Sequence, residues 1–571
     1  MNRNSQSHFA TTPTVEISRS KFDRSFTHKT TFNAGDLIPF FVDTNILPGD
    51  TVKMNTAQVV RMMTPITPVM DNAEIDTYFF FVPNRLVWEH WAEFMGENKT
   101  APWTQTTPYE IPQISAPAST GWTKGSLADY MGYPTGVTGY KASALPFRAY
   151  ALIYNEWFRD QNLKNPCYIS IGDADTTGVD IQSATYDYVT DTECGAAPVK
   201  AAKMHDYFTS CLPAAQKGPA VNIPLGSQIP VTLAKPEKNV TAAYTYNTDL
   251  DGREVGLYLS GSTFYNYDPE DGGTNLFHDI PDTYPNAALV VDLSTAVGAT
   301  VSQLRQAFQI QKFYEKQALY GTRYIEMIKG HFGVTNPDFR MQRPEYLGGF
   351  RQPININQVV QTDATSSQIT YDPDDGWGMK DLSPQGNTAA YSLTSGRNKD
   401  LFTHSFTEHG ILMGLAVVRQ THTYQQGLNR QFMQKSMFDF YFPEFANLSN
   451  QPVYNKEIYC QNDSVVDADG KVINDKAFGY QEAWAHYRYM PDIVTGEMRS
   501  NVSDSLDVWH WADDYNALPQ LGDQWIDETK ENIERTLAVQ NHDQFMGDFF
   551  FSAVYTRPMP LYSIPGLIDH H

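Results

Sequence analysis

Acidic and histidine residues occur in two places at spacings that could hold a metal ion. The run Asn247-x-Asp249-x-Asp251-Gly252 resembles the first half of a calcium loop, in which oxygen ligands at alternate positions converge on a hard cation. Its twelfth position is Tyr258, where such a loop needs a bidentate glutamate. An acidic hairpin turn is therefore the favoured interpretation, and a structural Ca²⁺ is the alternative.

A second run, from His404 to His409, invites a zinc interpretation. It reads His-Ser-Phe-Thr-Glu-His, which is one residue longer than the His-x-x-Glu-His pattern of a known zinc-site class. Gly470-Lys471 is followed by Val472, where a phosphate-binding loop needs Ser or Thr. We therefore predict no catalytic residue, no cofactor and no metal, and we do not expect an enzyme.

The composition favours a large core and broad protein contacts. Aromatic residues make up 13% of the 571 residues and charged residues only 19%, a combination that suits protein interfaces. The net charge of −23 opposes nucleic-acid binding by bulk electrostatics. Four scattered cysteines predict no disulfide framework and fit synthesis in a reducing cytoplasm. The sequence shows no signal-peptide pattern and no long apolar run, so no membrane insertion is predicted.

Residues 1–30 form a basic terminus in this acidic chain. They hold five Lys and Arg residues against two acidic ones. One interpretation is a disordered, solvated terminus, and the other is an internal arm that contacts phosphates. The candidate DNA-facing residues are Arg3, Arg19, Lys21, Arg24 and Lys29.

Apolar runs predict buried strands at residues 37–42, 77–83 and 410–419. The run at 548–555 resembles the aromatic run at 77–83, and we expect these two strands to pair. Asp469-Gly470 predicts a hairpin turn.

Helical spacing is clearest over residues 147–161. Six apolar residues fall on one stripe, and Arg148 lies off it, so we expect the stripe, including Trp157, to face the core. A short helix is predicted at 87–95 and a longer one at 301–329, broken near Gly321. The stripe consists of Phe147, Tyr150, Ala151, Tyr154, Trp157 and Phe158.

Two polar stretches interrupt the strands. Residues 227–300 are acidic and rich in turn signals, with a strand expected at 254–260, and residues 363–400 form a second long loop. Strands near both ends of the chain predict one β-sandwich domain over 31–571 with large insertions. The candidate attachment residues of the 227–300 surface insertion are Asp249, Asp251, Tyr258, Tyr265, Tyr267 and Asp271.

Four segments in order along the chain resemble the major capsid protein of microviruses, in the gokushovirus branch of small single-stranded-DNA bacteriophages. They are RSKFDRSFTHKTTFNAGD at 19–36, FRAYALIYNEWFRDQN at 147–162, HDYFTSCLP at 205–213 and RPMPLYSIPGLID at 557–569. The resemblance implies a mainly β fold: an eight-stranded antiparallel jelly roll of the viral capsid type with long loop insertions and a few helices.

The resemblance also implies a function. It predicts a structural subunit that self-assembles as a T=1 icosahedral shell of 60 copies around a circular single-stranded DNA genome. The 227–300 insertion would form a protrusion at the three-fold axes and attach to a receptor on the host cell surface. Packing DNA in an acidic shell further calls for cations, a small basic internal DNA-binding protein, or local basic patches such as the 1–30 arm. The expected location is the virion capsid.

One alternative comes from a different class of protein. A secreted β-sandwich that binds or cleaves carbohydrate would share the aromatic content, the acidity and the long loops. The missing signal-peptide pattern weakens this alternative.

Overall fold

The computed structural model describes most of the chain. The described residues are 18–97, 109–183, 185–219, 301–321, 323–335, 340–362, 386 and 388–562, together with the backbone of six short strands within 231–291 and two within 368–380. The chain divides into two compact units, one of Met1–Ala215 with Gln317–His571 and one of Gln216–Lys316. The second unit contains the whole 227–300 insertion.

The strands in chain order are β1 (Ser20–Asp23), β2 (Phe26–Phe32), β3 (Ile38–Ile46), β4 (Thr51–Met62), β5 (Ala73–Pro83), β6 (Gln113–Ser115), β7 (Lys141–Ser143), β8 (Thr176–Thr177), β9 (Val231–Leu233), β10 (Tyr244–Tyr246), β11 (Val255–Ser260), β12 (Thr263–Tyr267), β13 (Thr274–Leu276), β14 (Leu289–Val291), β15 (Glu345–Pro353), β16 (Ile356–Val360), β17 (Gln368–Asp372), β18 (Gly376–Lys380), β19 (Thr388–Ser392), β20 (Thr394–Ser405), β21 (Gly410–Gln420), β22 (Gln451–Tyr454), β23 (Ala477–Gln481) and β24 (Phe545–Arg557).

The α-helices are α1 (Asn84–Val87), α2 (Trp91–Phe94), α3 (Leu127–Tyr130), α4 (Leu145–Ile153), α5 (Tyr188–Asp191), α6 (Val301–Tyr320), α7 (Tyr324–Phe332), α8 (Asn455–Ile458), α9 (Asp523–Ile526) and α10 (Glu531–Glu534). A π-helical turn, Tyr154–Phe158, follows α4 directly. Among the described residues, no helix is both long and apolar enough to cross a membrane.

Two antiparallel sheets of the first unit form the centre of the fold. The five-stranded sheet has the order β1-β24-β4-β20, with β2 also paired to β24, and the four-stranded sheet has the order β15-β5-β21-β3. β1 and β2 pair with successive parts of β24 and so occupy one edge in turn. From β2 to β5 the chain alternates between the sheets, and it alternates again from β15 through β20 and β21 to β24. This path is that of a jelly roll, so the prediction of a mainly β jelly roll with a few helices is confirmed.

An aromatic layer fills the space between the two sheets. Phe40 packs on Phe549 with ring centroids 4.9 Å apart, and Phe41 packs on Phe551 at 5.1 Å. Phe79 of β5 meets Phe551 of β24 at 6.4 Å. The predicted pairing of 548–555 with 77–83 is therefore wrong. The two strands belong to different sheets, and their similar sequences reflect a shared aromatic layer and not shared hydrogen bonds.

The four-stranded sheet is covered on both faces, which explains its continuous apolar runs. In β21, Leu412 and Ala416 belong to the layer between the sheets, whereas Met413 and Leu415 belong to a second core on the opposite face. Helix α4 covers that opposite face, and the hydroxyl of its Tyr150 donates to the carbonyl oxygen of Leu37 at 2.7 Å.

The helix predicted at 147–161 is present but ends differently. Phe147, Tyr150 and Tyr154 are fully buried as expected. Trp157 was expected to face the core, yet its side chain is 38% exposed. The π-helical turn changes the spacing of the side chains, so Trp157 lies at the edge of the apolar stripe, where its ring still contacts Phe80 at 5.5 Å.

Arg148 was predicted to lie off the buried stripe, but it is only 1% exposed. Its guanidinium donates to the carbonyl oxygens of Val87, Gly172 and Ala174 at 3.3, 3.0 and 3.4 Å. Loops that pack over α4 bury the side of the helix that the sequence pattern assigns to solvent.

The remaining predictions concerned two helices, one strand, one turn and one loop. The 301–329 helix is present as α6 and α7, with the break at Gly321, where φ is +88°. The 87–95 helix is two single turns, α1 and α2. The expected 254–260 strand is β11, and Asp467 to Lys471 forms the expected tight turn. The 363–400 stretch is not a loop throughout, because it holds the β17–β18 hairpin, β19 and the start of β20.

Candidate nucleic-acid interface

The five-stranded sheet has one face packed on the aromatic layer and one face open in the described residues. Along β24, the buried Phe549 and Phe551 alternate with Asp548 and Phe550, and the Phe550 side chain is 44% exposed. β4 alternates in the same way, with Val52 buried and Lys53 exposed. We use the name "sheet face" for the outward-pointing side chains of β1, β2, β4, β20 and β24.

The sheet face is locally basic in a chain whose net charge is −23. Lys53 forms an ion pair with Asp400 at 2.5 Å. The other cations of the face form no ion pair with another described residue, so their charges are available to phosphates. The cations are Lys21, Lys29, Lys53, Arg61 and Arg397, and the carboxylates are Asp23, Asp400 and Asp548.

A shallow depression lies in the middle of the sheet face. Its lining includes Lys29, Gln58, Arg397, Asp548 and Phe550. An exposed aromatic ring between cations is the arrangement that binds single-stranded nucleic acid, because bases stack on the ring while the cations neutralise the backbone. The geometry of this face therefore suits a single-stranded polyanion without selecting a sequence.

The structure places the predicted arm residues in different surroundings. Residues 20–32 form β1 and β2, both paired to β24, so the later part of the predicted 1–30 arm belongs to the core sheet. Lys21 and Lys29 point outward on the sheet face, and Arg19 is exposed at its edge. Arg3 lies outside the described residues.

Arg24 is engaged inside the fold. Its guanidinium donates to the carboxylate of Asp43 and lies 4.8 Å from the ring centre of Tyr555. Burial opposes the charge on Arg24, but Asp43 outweighs burial and raises the pKa of the guanidinium. The hydroxyl of Tyr555 also donates to Asp43, at 2.7 Å. Arg24 thus joins the β1–β2 edge to β3, and we remove it from the candidate DNA contacts.

The candidate attachment residues fall in the second unit. Tyr258 and Tyr265 stand opposite each other on β11 and β12, and Tyr267 stands opposite Gly256. The side chains of these tyrosines lie outside the part of the chain that the structure describes. So do Asp249, Asp251 and Asp271, and with them the calcium-loop motif. The role of these six residues stays a prediction.

The histidine run at 404–409 does not converge on a common point. Glu408 binds the guanidinium of Arg85 at 2.8 Å, whereas Nε2 of His404 lies 3.4 Å from Glu345. The ring of His409 packs on Trp91. In the part of the chain that was described, no group of three His, Cys, Asp or Glu residues could hold a metal ion.

A buried charge cluster just after the end of β21 was not predicted from the sequence. Nδ1 of His422 lies 2.9 Å from Asp513, and its Nε2 lies 3.1 Å from Glu528. Burial opposes a charge on His422, but the two carboxylates outweigh burial and raise its pKa to about 10. The cluster ties the end of β21 to the 513–528 segment. No sequence pattern marks it, because the residues are 91 and 106 positions apart.

Comparisons with known proteins cover almost the entire chain. A family model described as "Capsid protein (F protein)" matches residues 10–567. Proteins named "Capsid protein VP1" from Chlamydia phage 1, Bdellovibrio phage phiMH2K and Spiroplasma virus 4 are 39%, 41% and 40% identical to this chain. These matches span 98%, 99% and 96% of this chain and 97%, 98% and 96% of the relatives.

Proposed function

Because this chain belongs to the capsid protein (F protein) family, we propose that 60 copies of it close into a T=1 icosahedral shell around a circular single-stranded DNA genome, with the sheet face turned inward. The chain is a structural capsid subunit of a small single-stranded-DNA phage, and it is located in the virion. The observation that carries the inward orientation is the open, locally basic sheet face with Phe550 at its centre.

Electrostatics supports this orientation. A subunit with a net charge of −23 repels DNA at long range, so contact requires a local excess of cations. For single-stranded DNA, each neutralised phosphate contributes about −0.7 to the slope of log binding constant against log salt concentration. A few cations per copy give weak contacts that the many copies of a shell multiply. A small basic internal protein would supply the remaining neutralisation.

The insertion supports a separate role in host attachment. Its β9 and β14 pair with each other, with Leu233 opposite Leu289, and β10 to β13 form a sheet of their own. The first and last strands of the insertion therefore pair with each other, which supports treating it as a separate structural element. We propose that it forms the three-fold protrusion and contacts the host receptor.

The proposed role is structural and involves no catalysis. The full-length relatives carry the name of a capsid protein, and no catalytic arrangement was found in the sequence. These matches disfavour the secreted carbohydrate-binding or carbohydrate-active alternative. No cofactor belongs to the proposal.

The DNA-facing role can be tested with a double variant, Lys29→Gln with Arg397→Gln, on the sheet face. Both side chains are exposed and unpaired among the described residues, so the fold should tolerate the change. We expect shells to form with less DNA per particle, measured as genome copies per shell. The matched control is Lys124→Gln with Lys471→Gln, two exposed lysines on loops, which should leave the DNA content unchanged. Equal DNA content in both double variants would contradict the inward orientation.

A further inference from the structure

A segment outside the sheets exposes an unusual number of aromatic side chains. It runs from Leu428 to Leu448 and reads Met-Phe-Asp-Phe-Tyr-Phe at 437–442. Monomeric proteins seldom leave contiguous apolar patches uncovered. We call the following side chains, which are between 37% and 72% exposed, the "aromatic ridge": Phe432, Met437, Phe438, Phe440, Tyr441, Phe442, Tyr487, Met490 and Ile493.

The 428–448 part of the ridge contains three 3-10 turns, Arg430–Phe432, Met437–Asp439 and Pro443–Phe445. Each turn satisfies its backbone locally, so the segment needs no neighbouring strand. The only charged side chain within 437–442 is Asp439, and it accepts hydrogen bonds from the backbone N–H groups of Lys435 and Ser436 at 2.8 and 2.6 Å. The ridge therefore presents apolar side chains and turns its one carboxylate back on its own chain.

Contacts with residues 484–487 fix the shape of the ridge. The indole N–H of Trp484 donates to the carbonyl oxygen of Phe445 at 2.9 Å, and the ring of Tyr441 packs edge-on against Trp484 at 5.7 Å. The backbone N–H of Tyr441 donates to the hydroxyl of Tyr487 at 3.2 Å. A surface that is ordered before it meets a partner avoids part of the entropic cost of association.

A groove lies beside the ridge and shares residues with it. Phe432 and Ile493 of the ridge line the groove together with Leu428, His486 and Tyr489. Burial and the nearby Arg430 lower the pKa of His486 to about 4, so the imidazole is uncharged at neutral pH. The groove lining also includes the charged residues Arg430, Glu457, Asp492 and Arg499. Exposed aromatic side chains next to a groove provide the uneven surface that close-packed interfaces use.

We infer that the aromatic ridge is a contact surface between two copies of this chain in the shell, an inference that rests on the proposed function. Phe, Tyr and Met are enriched at the centres of protein interfaces. A capsid subunit meets other copies of itself across much of its surface, and such contacts must bury apolar area to close the shell.

The charges near the ridge do not favour DNA as the occupant. Arg430 and Lys435 stand against Asp439 and Glu444 within 428–448, so the segment has no net charge. Arg430 is moreover held by Glu457 at 3.2 Å and by the carbonyl oxygen of Pro452 at 2.7 Å. With Lys435 balanced by Asp439 and Glu444 and Arg430 already paired, the segment offers no excess of positive charge, so phosphates gain little at this surface.

The test places a photoreactive aromatic residue on the ridge of the full-length chain in assembled particles. In Phe438→p-benzoylphenylalanine, irradiation should give an adduct at twice the 64.5 kDa mass of the chain, with both linked peptides from this protein. The matched control is Phe550→p-benzoylphenylalanine on the sheet face, which should label DNA and give no such adduct. Labelling of DNA or of another polypeptide from position 438, or no adduct in intact shells, would overturn the inference.

A second measurement uses particles without any substitution. Hydroxyl radicals should oxidise Met437 and Met490 several-fold more slowly in shells than in dissociated subunits, because the ridge is covered. The same slow oxidation should persist in shells emptied of DNA. Equal oxidation of shells and subunits, or protection that disappears with the DNA, would refute the inference while the capsid role stands. If the unmodified chain forms no shells, the proposed function itself fails.

Discussion

At the scale of single residues, charged groups that are buried or paired with a buried partner hold together parts of the chain that are distant in sequence. Arg24 with Asp43, Arg148 with three backbone carbonyl oxygens, and His422 with two carboxylates are all contacts inside the first unit. Burying a charge is costly unless it is paired, so each cluster fixes the position of its segments. Pairing of this kind depends on the folded path of the chain, and the sequence gives no period by which to find it.

The cluster around His422 predicts a specific dependence of stability on pH. The folded-state pKa of His422 is raised from 6.5 to about 10, so its stabilisation is complete below pH 6.5 and is lost as pH rises through about 10. On the acid side, burial opposes the charge of Asp513, but His422 and Lys203 outweigh it and lower the pKa of this carboxyl. That contribution is present above the ordinary aspartate pKa and is lost only on strong acidification.

The experiment compares thermal unfolding of the wild type and of His422→Gln between pH 7 and pH 10. At pH 7 the variant should unfold at a much lower temperature, because it leaves Asp513 and Glu528 buried without their cation. The difference should shrink as pH rises, since the wild type loses the same charge. A gap that stays constant over this range would show that His422 is neutral in the folded protein.

At the scale of elements, apolar periodicity located the strands better than it assigned their partners. The runs at 77–83 and 410–419 lie within β5 and β21, and the run at 37–42 lies within β3 except for its first residue, because burial on both faces leaves a continuous apolar run. The predicted pairing of 548–555 with 77–83 was wrong. Aromatic residues are common both in hydrogen-bonded strand pairs and between sheets packed face to face, so two similar runs do not show which of these contacts they make. Likewise, the 147–161 stripe identified α4 but not the π-helical turn that follows it.

The π-helical turn has a measurable consequence. Phe147 is fully buried, so Phe147→Ala should lower the free energy of unfolding by about 3–5 kcal/mol. Trp157 is 38% exposed, although its indole N–H donates to the carbonyl oxygen of Pro344 at 3.0 Å. We therefore expect Trp157→Ala to cost only about 2 kcal/mol. Urea unfolding of dissociated subunits measures both values, and equal losses would mean that Trp157 is as buried as Phe147.

At the scale of the whole molecule, the resemblance of four segments to one capsid family identified the fold and the role. Composition alone could not separate a shell subunit from an extracellular β-sandwich, because both are aromatic, acidic and rich in loops. Of the cations of the sheet face, only Lys21 and Lys29 were among the DNA-facing residues predicted from the sequence. The cations of this face come from four strands that are scattered along the sequence, and only the register of the sheet brings them to one side.

The insertion gives a prediction at this scale. Deleting residues 235–285 and joining the ends with a short linker removes about half of the second unit, including the β10–β13 sheet, but keeps the β9–β14 pair. We expect shells to assemble in nearly normal yield, because the jelly roll is complete without the deleted residues, and we expect attachment to host cells to fall sharply. Particle yield and cell binding are the two measurements. Loss of all shells would show instead that the insertion holds neighbouring copies together.

The central claim is that the chain builds a closed shell whose open sheet face lies against DNA. Cryo-electron microscopy of purified particles tests it most directly. We expect a T=1 shell with the jelly roll in each copy, the sheet face on the inner surface, and nucleic-acid density beside Lys29, Arg397 and Phe550. A shell with this face on its outer surface, or a purified chain that stays monomeric under every condition, would contradict the account.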